Sequence, residues 1–475
     1  VTIRRLISHN LLWQTSTILV ATVATLTYGL LVARYLGPSG FGRFSLIAGV
    51  IGWIIGLAQG GGANALMLLS AQDRRQAGNL LWPGIAIQLV VGVVAVLVGL
   101  PMVWIFSHDI GLLLPAVVYG IANLIYLVTS VIVAIFRGLD RMEWGISMAA
   151  ASGGMALLMV AVMALDSGFM ATIAVGAISQ SVVLAVTFPL AWNQLPVKGW
   201  HNETASRVWS ASVALWGVML LLSLHWRVGV LAVQGFSGAH ELGIYSAAAK
   251  LVENLRIVPG YLMLALVPTF VEFGRSDRKK LRNLLQPALQ YVTMIAFLLS
   301  LILVALSPFL ISLLYTLQYK ASAQVLSISA IGLAPLFVDW IFLYVLMSLR
   351  LERQLVVLYL ISILVEAGLD ALIVPLRGAK GAAIGFVSGE SVAALLGALF
   401  TIQAIGAFSW GGLLKIGLVG VLCLILVAVR PAGVNSIQWA AIVCAVNLLG
   451  LFCLRVITPS ELRTLLRWPP GPSIA

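Results

Sequence analysis

Residues 80–106 read LLWPGIAIQLVVGVVAVLVGLPMVWIF. Between Leu80 and Phe106 no side chain is charged, and Gln88 is the one amide. A helix rises 1.5 Å per residue, so about 20 apolar residues cross a bilayer core of about 30 Å. This run is long enough. Barrel strands alternate apolar and polar residues, and this run does not alternate. A continuous apolar segment in lipid must satisfy its backbone internally, which leaves the α-helix.

Thirteen further runs of the same kind give fourteen candidate spans: 11–33, 44–69, 80–106, 110–136, 144–165, 170–192, 209–233, 242–270, 285–314, 325–349, 355–374, 382–405, 413–429 and 437–454. Composition agrees with them. The 475 residues are 61% hydrophobic and 9% charged, against about 25% charged in soluble domains. The expected fold is an all-α polytopic membrane protein. The first span does not read as a cleaved leader, because Arg34 and Leu36-Gly37-Pro38 follow it where small residues would be needed. The longest loops, 193–208 and 271–284, are too short to hold a soluble domain.

Lysine and arginine placement orients the spans. With a cytoplasmic N-terminus, 18 fall inside, in segments 4–5, 74–75, 137–141, 198–207, 275–282, 350–353 and 455–467. Six fall outside: Arg34, Arg43, Lys320, Arg377, Lys380 and Arg430. Both termini are therefore expected in the cytoplasm of a bacterium, with the chain in its cytoplasmic membrane. The net charge of +12 is then mostly a topology signal. The basic loops lack the aromatic interleaving of nucleic-acid binders. Cys423, Cys444 and Cys453 fit no metal spacing and read as packing residues.

The chain repeats itself. Gly37-Pro38-Ser39-Gly40-Phe41-Gly42-Arg43-Phe44-Ser45 and Gly238-Ala239-His240-Glu241-Leu242-Gly243-Ile244-Tyr245-Ser246 share the pattern G-x4-G-x-[FY]-S at an offset of 201. The helices after them end in Asp73-Arg74-Arg75 and Asp277-Arg278-Lys279. Six spans separate the copies, so both have one orientation, and parallel repeats imply two six-helix lobes about an axis along the membrane normal. The expected divisions are 1–205 for the first lobe, 206–406 for the second, and 407–475 for two extra helices and a tail. A cleft between rocking lobes would suit a transporter.

Charge at membrane depth needs a partner, water or a function. The first six spans carry only neutral polar groups well inside them: Gln59, Asn64, Gln88, Asn123 and Gln180. The later ones carry Arg227, Lys250, Glu253, Arg256, Asp339, Glu366, Asp370 and Glu390. Arg227 and Lys250 lie at similar depth and could converge on one ligand. Lys250, Glu253 and Arg256 form an i, i+3, i+6 stripe. Two readings stand for these cations: recognition of an anionic head group, to which a guanidinium offers a bidentate fork, or internal ion pairing. Glu366 and Asp370 share a helix face and Glu390 lies at similar depth. They read either as an ion or proton relay or as counter-charges. The glycine run beside Gln59 and Asn64 reads as close helix packing or as a hinge in a cleft wall. Pro259 and Pro308 are expected to kink their helices.

Ala33-Arg34-Tyr35-Leu36-Gly37-Pro38-Ser39-Gly40-Phe41-Gly42 resembles the first loop of bacterial polysaccharide and oligosaccharide flippases. Leu242 to Glu253 resembles the entry to their eighth helix, and Val267-Pro268-Thr269-Phe270 its end. These flippases belong to the multidrug/oligosaccharidyl-lipid/polysaccharide exporter superfamily. The resemblance implies translocation of a polyprenyl-diphosphate-linked glycan by alternating access through a cationic cavity, without enzymatic chemistry. Arg227 falls where members often carry a basic residue on helix 7; the residue reading adds Lys250 and Arg256 as candidate substrate contacts, with Gln59 and Asn64 in the cleft wall. Members that flip the peptidoglycan precursor hold a cation on helices 7, 11 and 12, and Glu366, Asp370 and Glu390 lie on the last two. No bound cofactor is expected beyond Na+ or H+ as a coupling ion. Glycan polymerases or glycosyltransferases would be partners. The first lobe lacks the buried basic residues of the peptidoglycan subfamily, so another lipid-linked glycan fits better. The alternatives are a multidrug antiporter of the same superfamily and a non-transporting scaffold for glycan assembly.

Overall fold

A computed structural model describes residues 3–195, 199–429, 431, 434–454 and 456. Lys198, Arg430, Arg455, Arg463 and Arg467, which entered the charge count, lie outside these residues, as does the tail beyond 456. The side chains of Arg4, Arg5 and Arg275 are also outside the description.

Fifteen α-helices run in order: α1 (Ile3–Gln72), α2 (Leu81–Ser107), α3 (Leu113–Gly138), α4 (Ile146–Ala164), α5 (Gly168–Gln194), α6 (Asn202–His225), α7 (Val228–Leu255), α8 (Ile257–Ser276), α9 (Arg278–Leu314), α10 (Ser322–Ile331), α11 (Leu333–Ser348), α12 (Glu352–Arg377), α13 (Ala379–Ile405), α14 (Gly411–Ala428) and α15 (Ser436–Cys453). No strand occurs among the described residues. Ten segments are long and apolar enough to cross a membrane. Two of them, Trp13–Gln72 and Leu220–Gly260, each hold a repeat loop and so contain two spans. The pair α10 and α11, bent by 44°, supplies one more, and the shorter apolar Gly411–Val427 completes the fourteen expected.

The chain forms two compact units. One comprises Val1–Lys250, Leu314–Ser322 and Ser362–Gly385, and the other Leu251–Leu313, Ala323–Ile361 and Phe386–Ala475. These units follow packing, whereas the lobes 1–205 and 206–406 follow the sequence repeat and stand as a proposal. In the first unit, Leu66, Leu81, Ile85, Val131, Ile135, Phe136 and Trp144 form a buried cluster. In the second, Leu301, Ile416, Val419, Trp439 and Val443 pack α14 and α15 onto α9. Asn435 caps α15 in a reciprocal box with Gln438. Cys423 is buried in that cluster, Cys444 is half-buried and Cys453 exposed, all as free thiols.

The repeat is visible in the backbone of the first unit. Gly37 has φ 65°, ψ −180° and Gly238 has φ 80°, ψ −177°. This backbone is closed to residues with a Cβ, so both loops need glycine there. The two copies then touch reciprocally. A Cβ on Gly42 would overlap the Ala239 carbonyl, and a Cβ on Gly243 would overlap the Pro38 carbonyl. Ser39 Oγ and His240 Nδ1 meet at 3.4 Å, 201 residues apart. Residue i meets the partner of residue j and the reverse, the signature of a two-fold contact. Residues 314–322 bind both copies: Tyr319 donates to the Ala33 carbonyl (2.9 Å), Tyr315 to Ala247 (3.0 Å) and Ser322 to Ile244 (2.8 Å).

The glycine run of α1 is a packing surface. A Cβ on Gly61 would strike the Trp216 ring and the Ser212 carbonyl of α6, and one on Gly62 would press on Gln88 of α2. Of the two expected kinks, one region breaks: α7 ends at Leu255 and α8 opens with Pro259 in its first turn. α9 continues as one helix through Pro287 and Pro308.

Candidate substrate and coupling site

The seventh span is broken. α6 ends at His225, α7 starts at Val228, and Arg227 occupies the turn between them. Its N–H bonds back to Leu224 at 2.8 Å, a three-residue turn, before α7 resumes with Leu231 bonding to the Arg227 carbonyl at 3.1 Å. The later half of α1 braces this break: Trp53 donates to Ser223 at 2.9 Å, and Gly49 leaves room for Val230. Arg227 is half-buried, and its charge reaches the Tyr119 hydroxyl on α3. A span interrupted by one tight turn that carries a cation resembles the interrupted helices with which helical transporters build ligand sites.

Lys250, also in the first unit, is half-buried with its aliphatic stem over Gly29 of α1; a Cβ there would sit 3.6 Å from Cε. Glu253 follows one turn later on α7. Arg256 leaves that helix and occupies the N-cap of α8. The expected three-residue stripe therefore crosses a helix break.

The acidic residues fall in two groups. In the first unit, Glu366 and Asp370 lie one turn apart on α12, 2% and 0% exposed. Glu366 Oε2 pairs with His225 Nδ1 at 3.2 Å, and the imidazole is equally buried. Neither carboxylate oxygen of Asp370 has a hydrogen-bond partner among the described residues. Gly385 of α13 lies against it, since a Cβ there would overlap Asp370 Oδ1. In the second unit, Tyr359 of α12 donates to Asp339 Oδ2 of α11 at 3.0 Å, with both side chains buried. Glu390 of α13, also buried, is electrostatically coupled to Tyr359.

The neutral candidates lie on α1. Gln59 is half-buried and donates to the Tyr126 hydroxyl of α3 at 2.6 Å, whereas Asn64 is exposed. Tyr126 is in turn coupled to Arg137 at the end of α3, whose Nε is buried. No group of three or more metal-ligating side chains occurs among the described residues.

The family model "Polysaccharide biosynthesis protein" matches residues 7–273, more than half of the chain. The chain belongs to that family. A second model, "Lipid II flippase MurJ", matches this polysaccharide-biosynthesis protein over residues 253–452. No curated protein is similar enough in sequence to match. Among solved structures, the inward closed form of the lipid II flippase MurJ is similar at TM-score 0.74 and 12% identity, over 96% of this chain and 99% of that one. An inward-facing MATE multidrug transporter is similar at 0.65 and 17%, over 81% and 94%. A Vibrio cholerae MATE transporter is similar at 0.62 and 16%, over 83% and 96%. The polysaccharide-biosynthesis protein thus has the exporter-superfamily fold. Among the described residues, it has ten helical segments long and apolar enough to cross a membrane, as a multi-pass membrane protein of this family would.

Sequence reasoning missed His225, Tyr126 and Tyr359 in this family member. His225 carried a usable signal, an imidazole at mid-span two residues before the arginine. The tyrosines carried none, because a tyrosine in a span is unremarkable until the acid or amide opposite it is known.

Proposed function

We propose that the chain flips a polyprenyl-diphosphate-linked oligosaccharide across the bacterial cytoplasmic membrane by alternating access, supplying surface polysaccharide synthesis. The observation that carries this is Arg227, a half-buried cation held in the break of a membrane span within a flippase-family fold. A diphosphate needs fixed cations, and a guanidinium meets it with two parallel N–H donors. Lys250, on the next span of the same unit, would add a point charge; Arg256, in the second unit, is a separate candidate cation. Gln59, through Tyr126, and Asn64 would meet the uncharged sugars. The polyprenyl tail stays in lipid while the head group crosses, so no bond is made or broken. The interiors of the first six spans carry amides and no cation, which favours a lipid-linked glycan other than the peptidoglycan precursor as the cargo.

His225, Glu366 and Asp370 would couple transport to Na+ or H+. A buried carboxylate with both oxygens free of protein donors suits reversible binding of a cation or proton. In the second unit, taken by itself, Glu390 is a further buried candidate for ion binding. The similarity to MATE transporters favours a second reading, a drug antiporter. It would call for an acid in the interior of the first six spans, and those interiors carry amides. Both readings are tested by vesicles carrying labelled lipid-linked glycan in one leaflet: Arg227→Ala should lower its transfer about tenfold or more, and transfer at the wild-type rate would remove the proposal's main support.

A further inference from the structure

A groove of about 450 Å³ opens on the first unit where the turn 139–145 joins α4, α5 and the start of α1. No transport step above uses it. Its long wall is Ile146 of α4 with Val182, Val186 and Leu190 of α5, each more than half exposed. Large apolar side chains so open in a membrane protein face hydrocarbon. One end of the groove is polar, formed by Arg141, Glu143 and Gln194.

Arg141 is fixed there. Its guanidinium lies 5.3 Å from the Phe136 ring and 5.9 Å from that of Trp144, and these two rings stack at 3.9 Å. Nε donates to Glu143 Oε1 at 3.0 Å, and Nη1 donates to Gln194 Oε1. A guanidinium has five N–H donors, so three remain. Glu143 uses one carboxylate oxygen and keeps the other. Both side chains are accessible, 42% and 36% exposed. Arg137, at the end of α3, does not line the groove, and Asp140 is occupied by Arg74.

We propose that this groove binds one zwitterionic phospholipid of the phosphatidylethanolamine class. The phosphate takes the free donors of Arg141, the ammonium takes the free oxygen of Glu143, and an acyl chain lies along Val182, Val186 and Leu190. The paired charges decide the head group. A net-anionic lipid such as phosphatidylglycerol would satisfy Arg141 but offer the Glu143 carboxylate only neutral hydroxyl donors and a like net charge, whereas an amine–phosphate head brings a cation to Glu143 and an anion to Arg141. Stacking holds the guanidinium in place before the lipid arrives, so little ordering remains to be done on binding. Filling the groove would join α1, α4 and α5 at the end of the bundle that the charge bias assigns to the cytoplasm.

The test is native mass spectrometry of the full chain released from vesicles of equimolar phosphatidylethanolamine and phosphatidylglycerol. One phosphatidylethanolamine should be retained with roughly tenfold preference, the worth of one charge-assisted hydrogen bond. Val186→Trp, which fills the groove, should remove the retained lipid. Glu143→Gln is a surface change that leaves the core intact, and it should shift retention toward phosphatidylglycerol. Equal retention of the two lipids by the wild type would overturn the proposal. So would retention unaffected by Val186→Trp, a preference unmoved by Glu143→Gln, or displacement of the phospholipid by equimolar polyprenyl phosphate, which would assign the groove to a substrate tail.

Discussion

Arg227 and His225 flank the same break, yet they face different partners. Arg227 lies within electrostatic range of Tyr119, while His225 is buried against Glu366. One break thus joins a candidate substrate cation to a candidate coupling acid. Arg227→Ala should lower glycan transfer about tenfold or more, the loss of a charge-assisted contact, with near-normal protein in the membrane. Arg227→Lys should restore only part, because the fork is lost. The His225–Glu366 pair predicts non-additivity in thermal unfolding. His225→Ala strands a buried carboxylate and should cost roughly 3–5 kcal/mol, whereas adding Glu366→Gln should recover much of it. Additive effects would mean that the two do not interact. Substitution of Asp370 by Asn, nearly isosteric, should leave the melting temperature almost unchanged but abolish stimulation of transfer by an imposed proton or sodium gradient. At this scale the sequence was legible where cost is visible in one residue: a charge in an apolar run announces itself. Partners were not legible, since which side chain faces Glu366 depends on how α6 and α12 pack.

Among elements, the repeat loops carry the clearest prediction. Gly42 and Gly243 let the starts of the second and eighth spans approach to backbone contact. Gly42→Leu should therefore destabilise by roughly 1–3 kcal/mol, as overpacking does, and the symmetric Gly243→Leu by a similar amount. A large difference between them would argue against a two-fold contact. If lobes must part at this end during transport, a disulfide between Ser39→Cys and His240→Cys should stop transfer, and reduction should restore it. Transfer undiminished by complete cross-linking would show that this contact never opens. Both loops could be read from sequence because a positive φ restricts the residue to glycine and a recurrent spacing preserves it. The break at Trp226 and Arg227 could not be read, because no glycine or proline marks it. The stripe Lys250, Glu253 and Arg256 was drawn on one helix because Pro259 was read as a kink within it, whereas α7 stops at Leu255 and Pro259 lies in the first turn of α8.

For the whole molecule, the fourteen spans were legible because a bilayer demands a fixed apolar length, and long uncharged runs have few other uses. The compact units were not, because segments such as 314–322 and 362–385 belong to the first unit although the chain on either side of them belongs to the second. Orientation rests on the charge bias. Single cysteines in segment 275–282 should react with a membrane-impermeant reagent only from the cytoplasmic side, and labelling from outside alone would invert the topology. The central claim concerns cargo. Purified protein in sealed vesicles, loaded with a fluorescent polyprenyl-diphosphate oligosaccharide, should make the inner-leaflet pool accessible to a quencher added outside. The Arg227→Ala protein should leave that pool protected. Equal protection in vesicles with and without the wild-type protein, under both imposed gradients, would contradict the account.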